Sequence, residues 1–303
     1  MEKKKSNLYA PENVAEKKPE KIALAMDFCR GYADFLAEAK TERQSVATAA
    51  RLAREAGYRE IVITGIEISS WGKDFKDGSS LIDLLEVVSA AADTMRVRLG
   101  SLEPRTITEE FCRRAAALPN LCPHFHLSLQ SGCDRTLAAM HRKYDTARFY
   151  ESVALLEQSF PGCAITTDLI TGFPGETEED FQETLAFIEQ CGFAAMHVFP
   201  YSIRPGTPAA KMEQVDMPIR EERAHRAAAV AAKMHRAYLD GCVGKTYPVL
   251  FEQARGEWYT GHAPNYMAVA VRGGEELHNR VLNVTITHTD GEMLFGEIKE
   301  ETV

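Results

Sequence analysis

The run Ile165 to Thr177, ITTDLITGFPGET, carries an apolar strand-like stretch straight into a Gly-Pro-Gly turn and a helix start. Asp168 is the one charge inside that stretch, Gly172 and Gly175 let backbone approach a ligand closely, and Thr177 with Asp180 offers an N-cap for the following helix. A carboxylate beside open backbone at the C-terminal end of a strand suits a nucleoside-like cofactor. No Ser-His-Asp or zinc-binding constellation emerges among the scattered histidines. His124 and His126 alternate on one strand and share a face, a placement that fits either a barrel lining or hydrogen-bonded core residues.

The seven cysteines (Cys29, Cys112, Cys122, Cys133, Cys163, Cys191 and Cys242) stand no closer than ten positions apart, which reads as buried reduced thiols and not as a ligand set. Neither a signal peptide nor a membrane-spanning run occurs, so a cytoplasmic protein without a membrane partner is expected. A net charge of -9 argues against nucleic-acid binding by bulk electrostatics. A local basic patch is offered by Arg220, Arg223, Arg226, Lys233 and Arg236, whose spacing places most of them on one side of a helix; a solvated helix face has the same pattern.

These residues are positioned by an alternation of short apolar strands and helical segments beginning near Lys21. Six strand candidates are KIALAMD, EIVITGI, RVRLGS, HFHLSLQ, AITTDLITG and MHVFPYS. Helices are expected over residues 46–56, 81–92, 108–117, 147–158 and 178–190, where apolar residues recur at three and four spacing. Such alternation implies an α/β fold with parallel strands and right-handed crossovers, in a partial barrel or an open doubly wound sheet. In either, ligands gather at the C-terminal strand ends. That rule selects Thr64, Gly65 and Glu67, then Ser101 and Glu103, then Gln130 and Ser131, then Asp168, Gly172 and Glu176, and finally Tyr201 and Arg204.

Residues 1–20 mix five lysines, four glutamates and two prolines and are expected to form a disordered charged lead. Residues 21–240 would form the α/β core, and residues 241–303 read as five short strands with glycine-bearing turns, a small OB-like all-β barrel. The last sixty residues are acidic, with five Lys and Arg against nine Asp and Glu, so any RNA contact there would rest on Tyr259, His262, Asn265 and Tyr266.

The words VITGIEISSWG, RVRLGSLEP, HFHLSLQSGCDRTLAAMHRKYDT, TTDLITGFPGET, FPYSIRPGTPAAKM and GHAPNYMAVAV, in that order, resemble the radical S-adenosylmethionine (SAM) tRNA methylthiotransferases acting on threonylcarbamoyladenosine next to the anticodon. The resemblance implies a partial (β/α)6 TIM-like barrel followed by the β-barrel called TRAM. It also implies SAM and a 4Fe-4S cluster as cofactors and tRNA as substrate. By it, Thr64, Gly65 and Glu67 would lie near the methionyl end of SAM, Glu103 and Gln130 near the ribose or reacting carbon, and Asp168, Gly172 and Glu176 along the next strand edge, with Ser101 a further cofactor-binding candidate. Arg142, Lys143 and Arg204 become further RNA candidates.

In that family the first strand runs into a loop whose CxxxCxxC cysteines hold three irons of the cluster. Here those positions carry Met26, Arg30 and Ala33, none of which replaces a thiolate. Cys29 is adjacent but single, and GYADFLAEAK reads as helix. Sequence therefore implies a relative that retains the fold and SAM or RNA affinity but is impaired in methylthiolation. The alternative is a non-catalytic SAM- or RNA-binding module, natural or altered. An unrelated α/β enzyme would leave the six ordered motifs unexplained.

Overall fold

Period-two patterning sends alternate residues of each strand to opposite faces, and here the two faces have different chemistry. The computed structural model describes residues 18–299. Strands β1 (Glu60–Ile63) and β2 (Arg96–Leu99) pair in parallel, as do β3 (His124–His126), β4 (Ala164–Thr171) and β5 (Ala195–Pro200). The two sheets are joined by parallel bridges from Val97 to Leu121 and from Leu102 to Leu127, giving a five-stranded arc. Along its outer face Val97, Leu99, Phe125, Ile165 and Leu169 are buried against helices α3 (Leu81–Ala92), α4 (Glu109–Ala115), α6 (Thr146–Ser159) and α7 (Glu178–Cys191). Short α5 (Asp134–Ala139) follows β3, and the long α8 (Met217–Asp240) lies along β5.

The helix ends follow their sequence signals. Thr177 accepts a hydrogen bond from the Asp180 amide while Asp180 accepts one from the Thr177 amide, closing a capping box at α7, and Ser80 with Asp83 does the same at α3. Gly192 stops α7 in the left-handed conformation, as a C-terminal glycine does.

The first strand candidate requires correction. Residues 21–27 lie inside helix α1 (Pro19–Glu38), which is followed by α2 (Glu42–Glu55). Pro19 occupies the first turn, and Ala, Leu, Met and Glu dominate the sequence that follows, so local propensity favours helix where no neighbouring strand pairs with it. The α/β class and partial-barrel architecture hold, with five parallel strands among the described residues instead of six. The expected charged lead lies, up to residue 17, outside the described residues.

After α8, strands β6 (Thr246–Arg255), β7 (Trp258–His262), β8 (Ala268–Arg272), β9 (Val281–Thr289) and β10 (Leu294–Ile298) close into a barrel in the order β10-β8-β7-β6-β9. Its interior is filled by Val249, Phe251, Val269, Val271, Val284, Ile286 and Leu294. Gly261 is obligatory there, because a Cβ would stand 2.0 Å from the Leu250 carbonyl oxygen. Among the described residues no helix is long and apolar enough to cross a membrane.

Candidate SAM-type site at the strand ends

The inner face of the arc is polar. Register places Glu60 beside Arg96, Val62 beside Arg98, His124 beside Ala164, His126 beside Thr166 and Asp168 beside His197, with all these residues turned away from the helices. The sequence words RVR and HFH contain this alternation, and Arg98, Thr166 and His197 are inner-face groups that motif reading overlooked.

At the C-terminal end this face opens into a cavity of about 540 Å³ lined by Gln130, Asp168, Phe199, Tyr201, Arg204 and Thr207, among others. Gln130 has φ +68°, unusual for a residue with a Cβ, and is fixed there because its amide donates to the Asp168 carbonyl and its carbonyl accepts from Ile170, both at 2.9 Å. Asp168 keeps a third of its side chain exposed, and its Oδ2 stands 3.3 Å from His126 Nε2. The cavity thus combines a carboxylate, a carboxamide, a guanidinium and two aromatic rings. Those groups can accept from hydroxyls and amines and stack on a flat heterocycle.

Behind the cavity, the GFPGET turn is a brace. Glu176 accepts from the Gly172 amide and from Arg223, each at 2.8 Å, and the Arg223–Glu176 pair is almost wholly buried. Burial raises the Glu176 carboxyl above its usual range, while the Gly172 amide and Arg223 favour its charged form. Arg220 Nη1 donates to the Tyr201 carbonyl at 2.9 Å. Gly172, at φ +68°, has no room for a Cβ, which would lie 2.4 Å from Arg220 Cγ.

The selected residues do not all converge. Gln130, Asp168, Tyr201 and Arg204 share the cavity, whereas Glu176 is turned into the brace with Gly172. Thr64, Gly65 and Glu67 are exposed at the other end of the arc, and so is Ser101. Glu103 lies on a separate cleft, with its amide donating to Ser69 and its carboxylate paired with Arg105 at 3.3 Å. Ser131 is buried against Thr184.

Several RNA candidates also need correction. Tyr259 is buried inside the C-terminal barrel, where an aromatic ring fills the core. Asn265 is buried as well, donating to the Tyr238 hydroxyl and accepting from the Met267 amide, so it braces a turn. His262 pairs with Glu252 and stacks on Tyr266 at the seam with the arc. Arg220 and Arg223 are buried and Arg226 pairs with Glu178 and Glu222, so these three leave the expected basic face, while Lys233, 3.4 Å from Glu189, and Arg236 stay exposed. Lys143 and Arg204 are exposed, and Arg142 is half-buried.

Met26, Arg30 and Cys29 project from exposed positions on α1. The other six cysteines are buried. Burial raises the Cys122 thiol to about 11 and those of Cys163 and Cys191 to about 12, which keeps them protonated, the reverse of what an iron ligand needs. Among the described residues no three His, Cys, Asp or Glu side chains are grouped to hold a metal. The residues present therefore fit a nucleoside ligand and do not fit an iron-sulfur cluster.

A polar-lined parallel half-barrel with a strand-end cavity is one solution to binding a nucleoside cofactor, and residues 27–188 match the model of the radical SAM superfamily, to which this chain belongs. It is 37% identical over 238 residues to the threonylcarbamoyladenosine tRNA methylthiotransferase MtaB of Bacillus subtilis (strain 168), covering 77% of this chain and 53% of that protein. The protein of the same name from Thermotoga maritima is 42% identical over 204 residues, 67% of this chain and 45% of the relative. The tRNA-2-methylthio-N(6)-dimethylallyladenosine synthase of Desulfitobacterium hafniense (strain Y51) is 34% identical over 251 residues, with coverages of 82% and 56%. The chain thus spans about half the length of the curated relatives it matches.

Proposed function

We propose that this chain is a tRNA methylthiotransferase relative that binds SAM in the strand-end cavity and engages tRNA, without itself generating a radical. The observation that carries the proposal is the pairing of a formed nucleoside-type cavity at Gln130, Asp168 and Tyr201 with a helix at Met26, Arg30 and Ala33. The relatives named as tRNA-modifying enzymes support the choice of SAM and tRNA. When bound to a cluster, SAM supplies radical chemistry; in this chain the cavity residues bind and orient it. Asp168 and Gln130 accept and donate hydrogen bonds to ribose hydroxyls or ring edges, and Phe199 and Tyr201 offer faces for the adenine.

Anaerobic reconstitution followed by iron and sulfide analysis tests the reading. The expected product is colourless, and its melting temperature rises with SAM, because a ligand at about ten times its Kd adds roughly 1.4 kcal/mol to stability. A brown protein with a stoichiometric four-iron cluster and reductive SAM cleavage would overturn it, as would a melting temperature indifferent to SAM.

A further inference from the structure

The floor of the arc is closed by a loop from the other module. Residues 263–267, between β7 and β8, reach the inner face, and Tyr266 sits there at φ +67°. Its ring centroid lies 5.1 Å from that of His124 and 4.8 Å from that of His262, and the Arg98 guanidinium carbon is 4.6 Å from the Tyr266 centroid. Arg98 in turn donates to the Pro264 carbonyl at 2.8 Å and to Glu60 at 2.8 Å. A tyrosine in the left-handed region is uncommon, so the contacts of this ring must outweigh its backbone strain.

From His124 a polar chain runs up the inner face toward the cavity. His124 Nε2 is 3.2 Å from Thr166 Oγ1, and that same oxygen is 3.0 Å from His126 Nδ1. His126 Nε2 faces Asp168 Oδ2 at 3.3 Å, and Asp168 lines the cavity. A carboxylate only accepts, so His126 presents Nε2–H toward it and leaves Nδ1 as an acceptor. The Thr166 hydroxyl then donates to His126 Nδ1 and accepts from His124 Nε2–H. This order leaves His124 Nδ1 as a bare acceptor, and that atom is buried with no partner. The buried atom without a partner is thus an unprotonated acceptor and not an N–H. A neutral His124 is also what burial enforces, holding its imidazole down to about 3, with the nearby Arg98 charge acting in the same direction.

We infer that Tyr266 and Thr166 are positioning residues for the cavity: Asp168 selects the Nε2–H tautomer of His126, and the C-terminal barrel, through Tyr266, His124 and the Thr166 hydroxyl, fixes the orientation of that ring against Asp168. The inference deepens the SAM-site reading above and rests on it for the identity of the ligand, but the His126 tautomer belongs to the protein alone. Neither Thr166 nor Tyr266 lines the cavity, so any effect they have there passes through the chain His124–Thr166–His126.

Long-range proton–nitrogen spectra of histidine-labelled protein read the tautomer directly, with His124→Asn and His126→Asn giving the assignments. In the unsubstituted protein the neutral form of His126 should be a single tautomer, Nε2–H, and a neutral Nδ1–H form there would overturn the inference. Thr166→Val, which keeps shape and removes the hydroxyl, should leave Nδ1 unpartnered, shift and broaden the His126 signal as the ring loses its fixed orientation, and weaken SAM binding about 2- to 10-fold by calorimetry, the range of one lost hydrogen bond. Tyr266→Gly, which suits the positive φ and removes only the ring, should shift the same His126 signal, while Tyr266→Phe should restore it. A His126 signal unchanged in both Thr166→Val and Tyr266→Gly would sink the inference even if SAM binds. Failure of the unsubstituted protein to bind SAM, with the His126 signal still responding to both substitutions, would remove the ligand assignment and leave the positioning chain standing.

Discussion

At the scale of single residues, Gly172 shows how a ligand-type signal in the sequence acquires a second meaning. The glycine was selected because backbone there approaches a ligand; in the structure it also approaches Arg220, with both its φ of +68° and the 2.4 Å gap forbidding a side chain. Gly172→Ala should therefore lower stability by about 2–4 kcal/mol in urea denaturation, combining left-handed strain with displacement of Arg220. A second residue-scale expectation concerns acid. Asp83 is held below its usual carboxylate range, chiefly by the Arg114 hydrogen bond at 2.6 Å. A depressed carboxyl contributes stability above its unfolded pKa and loses it as pH falls through the lower folded value. Asp83→Asn should thus be less stable than the parent at pH 7, with the gap closing as pH falls below the ordinary aspartate range, as thermal melts across pH would show. That Asp168 and Gln130 line the strand-end cavity is legible in the sequence, because the fold rule points to strand-end carboxylates and amides. Their distance from Glu103 and Glu67 is not, since strand-end selection says nothing about how far apart the ends of an arc stand.

Among the elements, α1 carries the largest disagreement with sequence reading. Residues 21–27 have an apolar composition that fits strand and helix equally, and only the absence of a pairing neighbour separates them. The helix buries none of its residues, and Leu24, Met26, Phe28 and Tyr32 stay exposed. Most helical stability in proteins comes from packing an amphipathic face, and α1 buries none. Amides in α1 should therefore exchange with solvent close to the intrinsic rate, while those of β4, flanked on both sides by strands, should require global opening; hydrogen exchange resolved by segment checks this. The other helices, short α5 apart, are legible to within a few residues because Thr, Ser and Asp caps and glycine stops mark their ends. Tyr259 and Asn265 were misread for the opposite reason: aromatic and polar residues in a turn-rich segment look alike whether they face solvent or the barrel interior.

For the whole molecule, the decisive feature is the seam between arc and barrel. Arg98, 3% exposed, binds Glu60 in the arc and the Pro264 carbonyl in the barrel loop, and Arg96 Nη1 reaches the carbonyls of Pro248 and His262 at 3.1 and 3.2 Å. Arg98→Met should cost about 3 kcal/mol, the scale of a buried pair losing one partner. It should also split the single unfolding transition into two, measurable by calorimetry, because the modules would no longer melt together. By itself the sequence determined the alternating α/β class, the terminal all-β barrel, the superfamily and the lack of a cysteine triad at Met26, Arg30 and Ala33, because periodicity, caps and ligand spacing are local properties of the chain. The tertiary structure alone decided that Arg220, Arg223 and Arg226 of α8 are spent on internal partners. It also decided that Tyr266 closes the floor of the arc and that His126 is held against Asp168. Each of these depends on which groups from distant segments share a buried volume, where an unpaired polar atom is costly and so must find a partner that local sequence does not name.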